Sequence, residues 1–415
     1  MSDPQRLTTL TTQLLDTPIG EFRHSLAAGE PLPYRYTYLS DLSDAHSAAL
    51  NMPVAERDYA TPDLPPPFEQ SLPEMNLALF PTAVWKFVER DRMGLLWASS
   101  RRRIGRLRFH SSTLETDRAQ PAAVHVSLSD LQSAKNGDEL FRDTLAALQD
   151  IPGIAGVQPK ALVTLDDGPA SRTVSTETHI LKANHANFPG ATVVESLCLA
   201  AAEAAGLPVP ERVLSGDGQL LAIRRFDLTA DGTPRGFDEM GALLGRNAER
   251  KYSGTLEELA QATRDYAGNA TRGESLLRLF TLSVLNNAVR NGDAHLKNFG
   301  LTYDDPSAAS LSPVYDVLTT RCFERLRFDA PALSLARRRK WDDYSALKAW
   351  GRTSCGLSNG EMRASFEAVG GAMEKVLPQI LEARERYAVF GGELWVMRAE
   401  WLEGLEALQR KLHPK

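Results

Sequence analysis

The chain has 415 residues, of which 43% are hydrophobic and 24% charged, with a net charge of −6. That length suits two or three structural units, and the acidic balance excludes a protein whose main surface is a nucleic-acid footprint, though not a local basic patch. Three cysteines, Cys198, Cys322 and Cys355, with no Cys-x-x-Cys pair, exclude a disulfide scaffold or a cysteine-rich zinc module and predict a reducing, cytoplasmic setting. No apolar run approaches about 20 residues and the N-terminus has no secretory pattern, so no membrane span is expected.

The first 115 residues read as mixed and strand-rich. Short apolar stretches at Ala83–Val88, Gly94–Trp97 and Arg106–Phe109 are separated by turn residues. Pro62, Pro65, Pro66 and Pro67 mark an extended loop, and Thr116–Pro121 a connector. Leu128–Leu148 carries helical signals with a break at Asn136-Gly137. Gly153 and Gly156 flank a turn, followed by strand candidates at Ala161–Leu165 and His179–Lys182. Val193–Ala205 reads as a helix with Val194, Leu197, Ala201 and Ala205 on one face, stopped by Gly206 and Pro208. Gln219–Phe226 is a further strand. From Phe237 onward the pattern is almost all helical, strongest at Ser275–Val289 and in a C-terminal pair at Glu361–Tyr387 and Glu393–Leu412. The expectation is an α+β, two-lobed chain in three units: 1–115, a β-rich lobe over 116–236, and an all-helical lobe over 237–415.

The chemistry concentrates in Asn291-Gly-Asp-Ala-His-Leu-Lys-Asn-Phe-Gly300, with a later Ser-Pro-Val-Tyr-Asp316-Val. Asp293 five residues before Asn298, followed by a further acid, is the pattern of a kinase catalytic loop. Asp293 is the candidate base. Asn298 and Asp316 offer the hard oxygens that Mg²⁺ prefers. His295 and Lys297 lie between them, and Lys297 is placed to meet either the transferred phosphate or a carboxylate. The loop alone fits equally well an Asn-Gly-Asp turn followed by solvated polar residues. The apolar surroundings of Asp316 weigh against that, because a charge there needs a partner or a metal. The pattern specifies phosphoryl transfer and leaves the acceptor open between protein, small molecule and lipid.

Lys182, at a strand end, is a candidate phosphate contact, with Glu195 in the next helix to orient it, although spacing alone favours an ordinary exposed strand-end lysine. Arg224-Arg225-Phe226-Asp227 closes a strand just before the helical half, where a kinase hinge presents its backbone to adenine. Gly153-Ile-Ala-Gly156 marks a turn as readily as a phosphate cradle. No P-loop, dinucleotide fingerprint or zinc-ligand spacing occurs. The basic runs Arg101-Arg102-Arg103 and Arg337-Arg338-Arg339-Lys340 read as solvated faces rather than DNA contacts.

Several stretches together resemble the HipA family of bacterial toxin kinases. They are Ala155-Gly-Val-Gln-Pro-Lys160, Ile180-Leu-Lys182, Glu195 with Ala204-Ala-Gly-Leu-Pro-Val-Pro210, Arg225-Phe-Asp227, Arg250-Lys-Tyr252, Asn291–Gly300 and Leu311-Ser-Pro-Val-Tyr-Asp-Val317. They stand in family order. More weakly, the first 115 residues are similar to the family's N-terminal subdomain through Ile19-Gly20, Tyr34–Leu39, Met52-Pro53 and Leu72-Pro73-Glu74.

The resemblance implies a distant kinase-like fold and a serine/threonine kinase using ATP and Mg²⁺. It makes Asp293 catalytic and Asn298 and Asp316 metal ligands. It places ATP against Lys182, the backbone at Arg224 and Phe226, neighbouring Asp227, the Gly153, Ala155 and Gly156 turn, and His295 and Lys297. The implied partners are a small helix-turn-helix antitoxin of the HipB type, with DNA reached only through it, and an aminoacyl-tRNA synthetase as substrate, glutamyl-tRNA synthetase first. A catalytically quiet relative that binds nucleotide or antitoxin in operon repression is the alternative. The chain departs from the family at Gly153 and Ala155, where members often carry serines whose autophosphorylation switches the kinase off. Neither residue has a hydroxyl, so that switch is expected to be missing.

Overall fold

The computed structural model describes residues 7–73, 91–113, 123–148, 158–166 and 177–412. Strands β1 (Thr9–Leu14), β2 (Thr17–His24), β3 (Tyr34–Tyr38), β4 (Asp58–Thr61) and β5 (Leu107–His110) form an antiparallel sheet in the order β4-β3-β2-β1-β5. Helices α1 (Pro66–Glu69) and α2 (Arg92–Ser99) cover it. The Phe68 ring sits at the centre, edge-on to Phe22 at 4.9 Å, Tyr36 at 5.2 Å and Phe109 at 5.1 Å.

Two expectations change here. Gly94–Trp97 is not a strand but lies in α2. Asp91 caps that helix by accepting from the Met93 N–H at 3.0 Å, and Met93 and Leu96, at helical spacing, are buried. The Pro62–Pro67 run holds α1 rather than a wholly extended loop, since proline at a first helical position removes no intrahelical bond. Ala83–Val88 and Thr116–Pro121 lie outside the described residues.

The next sheet comprises β6 (His125–Ser127), β7 (Lys160–Asp166), β8 (His179–Ala183), β9 (Arg212–Leu214) and β10 (Leu220–Arg224) in the order β6-β7-β8-β10-β9, with only β6 and β7 parallel. Helices α3 (Leu128–Ser133) and α4 (Gly137–Ala147) break where the sequence predicts, because the Asn136 side chain accepts from the Glu139 N–H and starts α4. Helix α5 (Ala191–Ala204) buries Val194, Leu197 and Ala201 and ends before Gly206, whose φ of +80° is left-handed.

The remaining chain is predominantly helical: α6 (Met240–Leu243), α7 (Leu256–Tyr266), α8 (Arg272–Ala288), α9 (Tyr344–Thr353), α10 (Asn359–Arg386) and α11 (Gly391–Leu412). It also holds a three-stranded sheet that the all-helical reading left out: β11 (Gly236–Glu239), β12 (Gly300–Tyr303) and β13 (Ser310–Leu311). These strands are too short for a period to show, and glycines make their packing possible. A Cβ on Gly236 would fall within 2.3 Å of the Tyr303 ring, and one on Gly300 within 2.5 Å of the Phe237 ring. This sheet brackets the loop at Asp293.

The largest core joins α5 and β10 to α8, α10 and α11. The N-terminal sheet docks on it through polar contacts. Asn51 Nδ2 donates to the Ala242 carbonyl at 2.9 Å, and Gln70 donates to the Phe237 carbonyl at 3.0 Å while accepting from the Glu239 N–H at 2.8 Å. Arg102 and Arg103 are not a solvated face: both are buried in this junction, Arg102 against Glu177 at 2.6 Å. Arg337, Arg338, Arg339 and Lys340 are exposed as expected. Among the described residues no helix is long and apolar enough to cross a membrane.

Candidate active site

Helix α8 delivers the loop. Arg290, at φ +62°, turns the chain out of the helix, and its buried guanidinium forks onto both Asp342 oxygens at 2.7 and 3.0 Å. Thr320 Oγ1 accepts from the Gly292 N–H at 2.7 Å and donates to the Arg290 carbonyl at 3.1 Å. Asp293 is then held at both ends of its backbone. Its N–H donates to Asn291 Oδ1 at 3.2 Å, and its carbonyl accepts from Asn298 Nδ2 at 2.7 Å. The second bond commits the Asn298 amide nitrogen and leaves the amide oxygen as the group suited to a hard cation. Tyr252 donates its hydroxyl to Asp293 Oδ1 at 2.6 Å, and His295 Nε2 stands 4.0 Å from the same oxygen.

Across the cleft, Lys182 donates to Glu195 Oε1 at 2.7 Å and also contacts Asp316 Oδ1. The expected lysine–helix carboxylate pair is therefore formed. Lys182 and Glu195 are fully buried, whereas a third of the Asp316 side chain opens to the cleft. Burial works against the Lys182 charge, but Asp316 and Glu195 more than offset it and raise its pKa above the ordinary lysine range. Burial also disfavours the Asp316 anion. The Lys182 and Lys160 ammonium groups nevertheless hold that carboxyl well below the usual carboxylate range. Burial pushes Glu195 upward. Asp316 adopts φ +52°, a left-handed conformation uncommon outside glycine that gathers at functional sites.

The hinge segment is more committed than the sequence implies. Asp227 accepts from Arg225 Nε at 3.0 Å, Arg225 Nη2 at 2.7 Å and the Gly105 N–H at 2.7 Å. Its carboxylate thus serves the junction with the N-terminal sheet. Arg224 is exposed and bonds Glu211 at 3.0 Å. The Phe226 ring packs at 5.4 Å from both Phe237 and Tyr315. Of the two roles open to Lys297, the structure forms the carboxylate one: its Nζ stands 3.6 Å from Glu239 and 3.4 Å from the Gln70 carbonyl.

Asp293, Lys182, Arg224, Phe226, Asp227, His295, Lys297, Asn298 and Asp316 all line a single cavity of about 510 Å³, within the range of small-ligand sites. Gly153, Ala155 and Gly156 lie outside the described residues. The cavity also contains residues that the sequence reading gave no role. Lys160 sits opposite Lys182 on adjacent strands, and Tyr252, Glu239 and Asp329 complete the wall. Lys160 and Tyr252 belong to stretches already singled out, but no spacing connects Tyr252 to an aspartate 41 residues away.

Among the described residues no group of three or more His, Cys, Asp or Glu is placed to hold a metal. The donors that are present, one carboxylate and one amide oxygen, fit an ion that keeps waters and takes substrate phosphates, as Mg²⁺ does.

Residues 153–377 match the profile of the HipA-like C-terminal domain, and residues 10–110 that of the HipA N-terminal domain. Two proteins of Sinorhizobium fredii (strain NBRC 101917 / NGR234), each bearing the name of a candidate kinase, are similar to part of the chain. Y4mE is 34% identical over 185 residues, 42% of this chain and 43% of its own length. Y4dM is 31% identical over 179 residues, 41% of this chain and 42% of its own length. The matched part thus spans less than half of either relative. The fold superposes on HipA of Shewanella oneidensis MR-1, solved with HipB and operator DNA, with a TM-score of 0.68. That match covers 96% of this chain and 99% of that one at 17% identity.

Proposed function

The chain belongs to the HipA family, and from that premise we propose that it is a serine/threonine protein kinase that uses ATP with Mg²⁺ and acts in the cytoplasm as the toxin of a toxin–antitoxin pair. The observation that carries this reading is the convergence of Asp293, Asn298, Asp316 and Lys182, itself paired with the buried Glu195, on one cavity.

In this reading Asp293 takes the proton of the acceptor hydroxyl as that oxygen bonds to the γ-phosphorus. Lys182, kept protonated between two carboxylates, presents a fixed charge to the phosphates. Asn298 and Asp316 would hold Mg²⁺, which when bound neutralises phosphate charge. The backbone at Arg224 and Phe226, beside the Phe226, Phe237 and Tyr315 rings, takes the adenine. The braces on Arg290 and Gly292 matter because phosphoryl transfer depends on positioning.

The substrate we propose is an aminoacyl-tRNA synthetase, glutamyl-tRNA synthetase first, whose modification halts translation. The partner is a HipB-like helix-turn-helix antitoxin, through which alone the chain meets DNA. With Gly153 and Ala155 in place of hydroxyl residues, control falls to that partner, to expression level or to another site, for which Thr164, Ser171 and Thr173 offer nearby hydroxyls. Radiolabelled ATP with Mg²⁺, a bacterial lysate and purified glutamyl-tRNA synthetase test this, with wild type set against Asp316→Ala. A labelled synthetase band that the variant loses is the expected result. A labelled band elsewhere changes the target and keeps the kinase. No variant-sensitive label at all moves the reading to a quiet nucleotide- or antitoxin-binding module.

A further inference from the structure

Resting on the kinase reading and deepening it, we propose that Tyr252 is the positioning residue for Asp293 and fixes the plane in which its carboxylate is presented to the acceptor. The loop fixes the Asp293 backbone from both sides, through Asn291 and Asn298. That hold does not reach the carboxylate, whose side chain is 42% exposed. The terminal torsion of aspartate is broad, so a fixed backbone does not set the plane of its carboxylate. The Tyr252 hydroxyl sets that plane by donating to Oδ1 at 2.6 Å. Oδ2 is then the oxygen that receives the acceptor's proton.

Tyr252 is itself tied to the loop it serves. Its ring stands edge-on to His295 with centroids 5.1 Å apart. Its carbonyl accepts from Arg339 Nη2 at 2.6 Å, and the preceding Lys251 carbonyl accepts from the Leu296 N–H at 3.1 Å. Tyr252 exchanges no proton in the transfer. The acceptor oxygen bonds to the γ-phosphorus, the bond from that phosphorus to the bridging oxygen breaks, ADP leaves with the electron pair, and the acceptor's proton passes to Asp293.

Tyr252→Phe keeps the ring and removes the donor. The expected result is an about tenfold lower kcat for phosphate transfer from ATP with Mg²⁺, the size of one hydrogen bond to a charged group. KM for ATP and the thermal midpoint stay at their wild-type values. In an Asp293→Ala background the same substitution changes nothing further, because the carboxylate that accepts the bond is already gone. A second readout needs no nucleotide: the carbon NMR resonance of the Asp293 carboxyl, identified by its absence in Asp293→Asn, moves in Tyr252→Phe. A wild-type kcat with an unmoved resonance overturns the inference and leaves the kinase reading standing, and so does an additive loss in the double variant. A wild type that transfers no phosphate to any acceptor overturns both.

Discussion

Asp293 and Asp316 are both carboxylates in one cleft, yet their surroundings divide their work. The Asp316 carboxylate is held by Lys182, while that of Asp293 accepts from the Tyr252 hydroxyl. Asp316→Ala is expected to abolish metal-dependent ATP use. Asp293→Asn is expected to retain nucleotide binding while losing about 10²–10⁴-fold in transfer, the usual worth of a positioned base. Transfer and equilibrium nucleotide binding, measured side by side, separate the two roles. His179 supplies a pH test. Burial, and then the charge of Arg224, lower its pKa from 6.5 to about 4. The unfolded chain therefore takes up a proton that the folded one refuses between those values. Stability is fully present above about 6.5 and falls as the pH drops towards about 4. Urea midpoints across that window should decline in the wild type and decline less steeply in His179→Gln.

At the scale of elements, α11 reaches the loop through a glycine. A Cβ on Gly404 would stand 2.0 Å from the Ala288 carbonyl at the end of α8, one turn before Asp293. Gly404→Ala is expected to force these helices apart, at a cost of about 1–3 kcal/mol as overpacking usually does. Transfer should fall as well, because α8 carries the loop. Calorimetry and the transfer assay check the two effects. The long helices were legible in the sequence because α8, α10 and α11 bury regular apolar faces. Helix α2 was not, since four apolar residues in a row fit either period. The β11-β12-β13 sheet was not, since its strands run two to four residues. The candidate site divides the same way. Asp293, Asn298 and Asp316 stand in short local motifs, and Lys182 could be matched to Glu195 in the following helix. Tyr252, Glu239 and the bond from the Gly105 N–H to Asp227 could not be read, because tertiary packing alone chooses them.

Across the whole molecule, the N-terminal sheet is fastened to the hinge of the nucleotide cleft by a pair that is almost wholly buried. Arg225 and Asp227 have side chains 3% and 2% exposed, and Asp227 also takes the Gly105 N–H. Removing one partner strands the other charge in the core. Asp227→Ala is therefore expected to destabilise the chain by about 3–5 kcal/mol, read as a lower urea midpoint. It should also weaken nucleotide binding, since the same segment forms the cleft wall.

In the kinase reading the Lys182–Asp316 contact is also expected to set an order of arrival. While Asp316 is neutralised by Lys182, a divalent ion offered alone competes with an ammonium group for the same oxygens. Phosphates that draw Lys182 towards themselves release Asp316 to the ion. Each ligand then raises the affinity of the other by an equal factor, as linkage requires. Lys182→Met is expected to bind Mn²⁺ alone more tightly than the wild type does, a gain visible by electron paramagnetic resonance. In the kinase reading the ion pair is expected to act as an interlock that admits metal with nucleotide rather than before it.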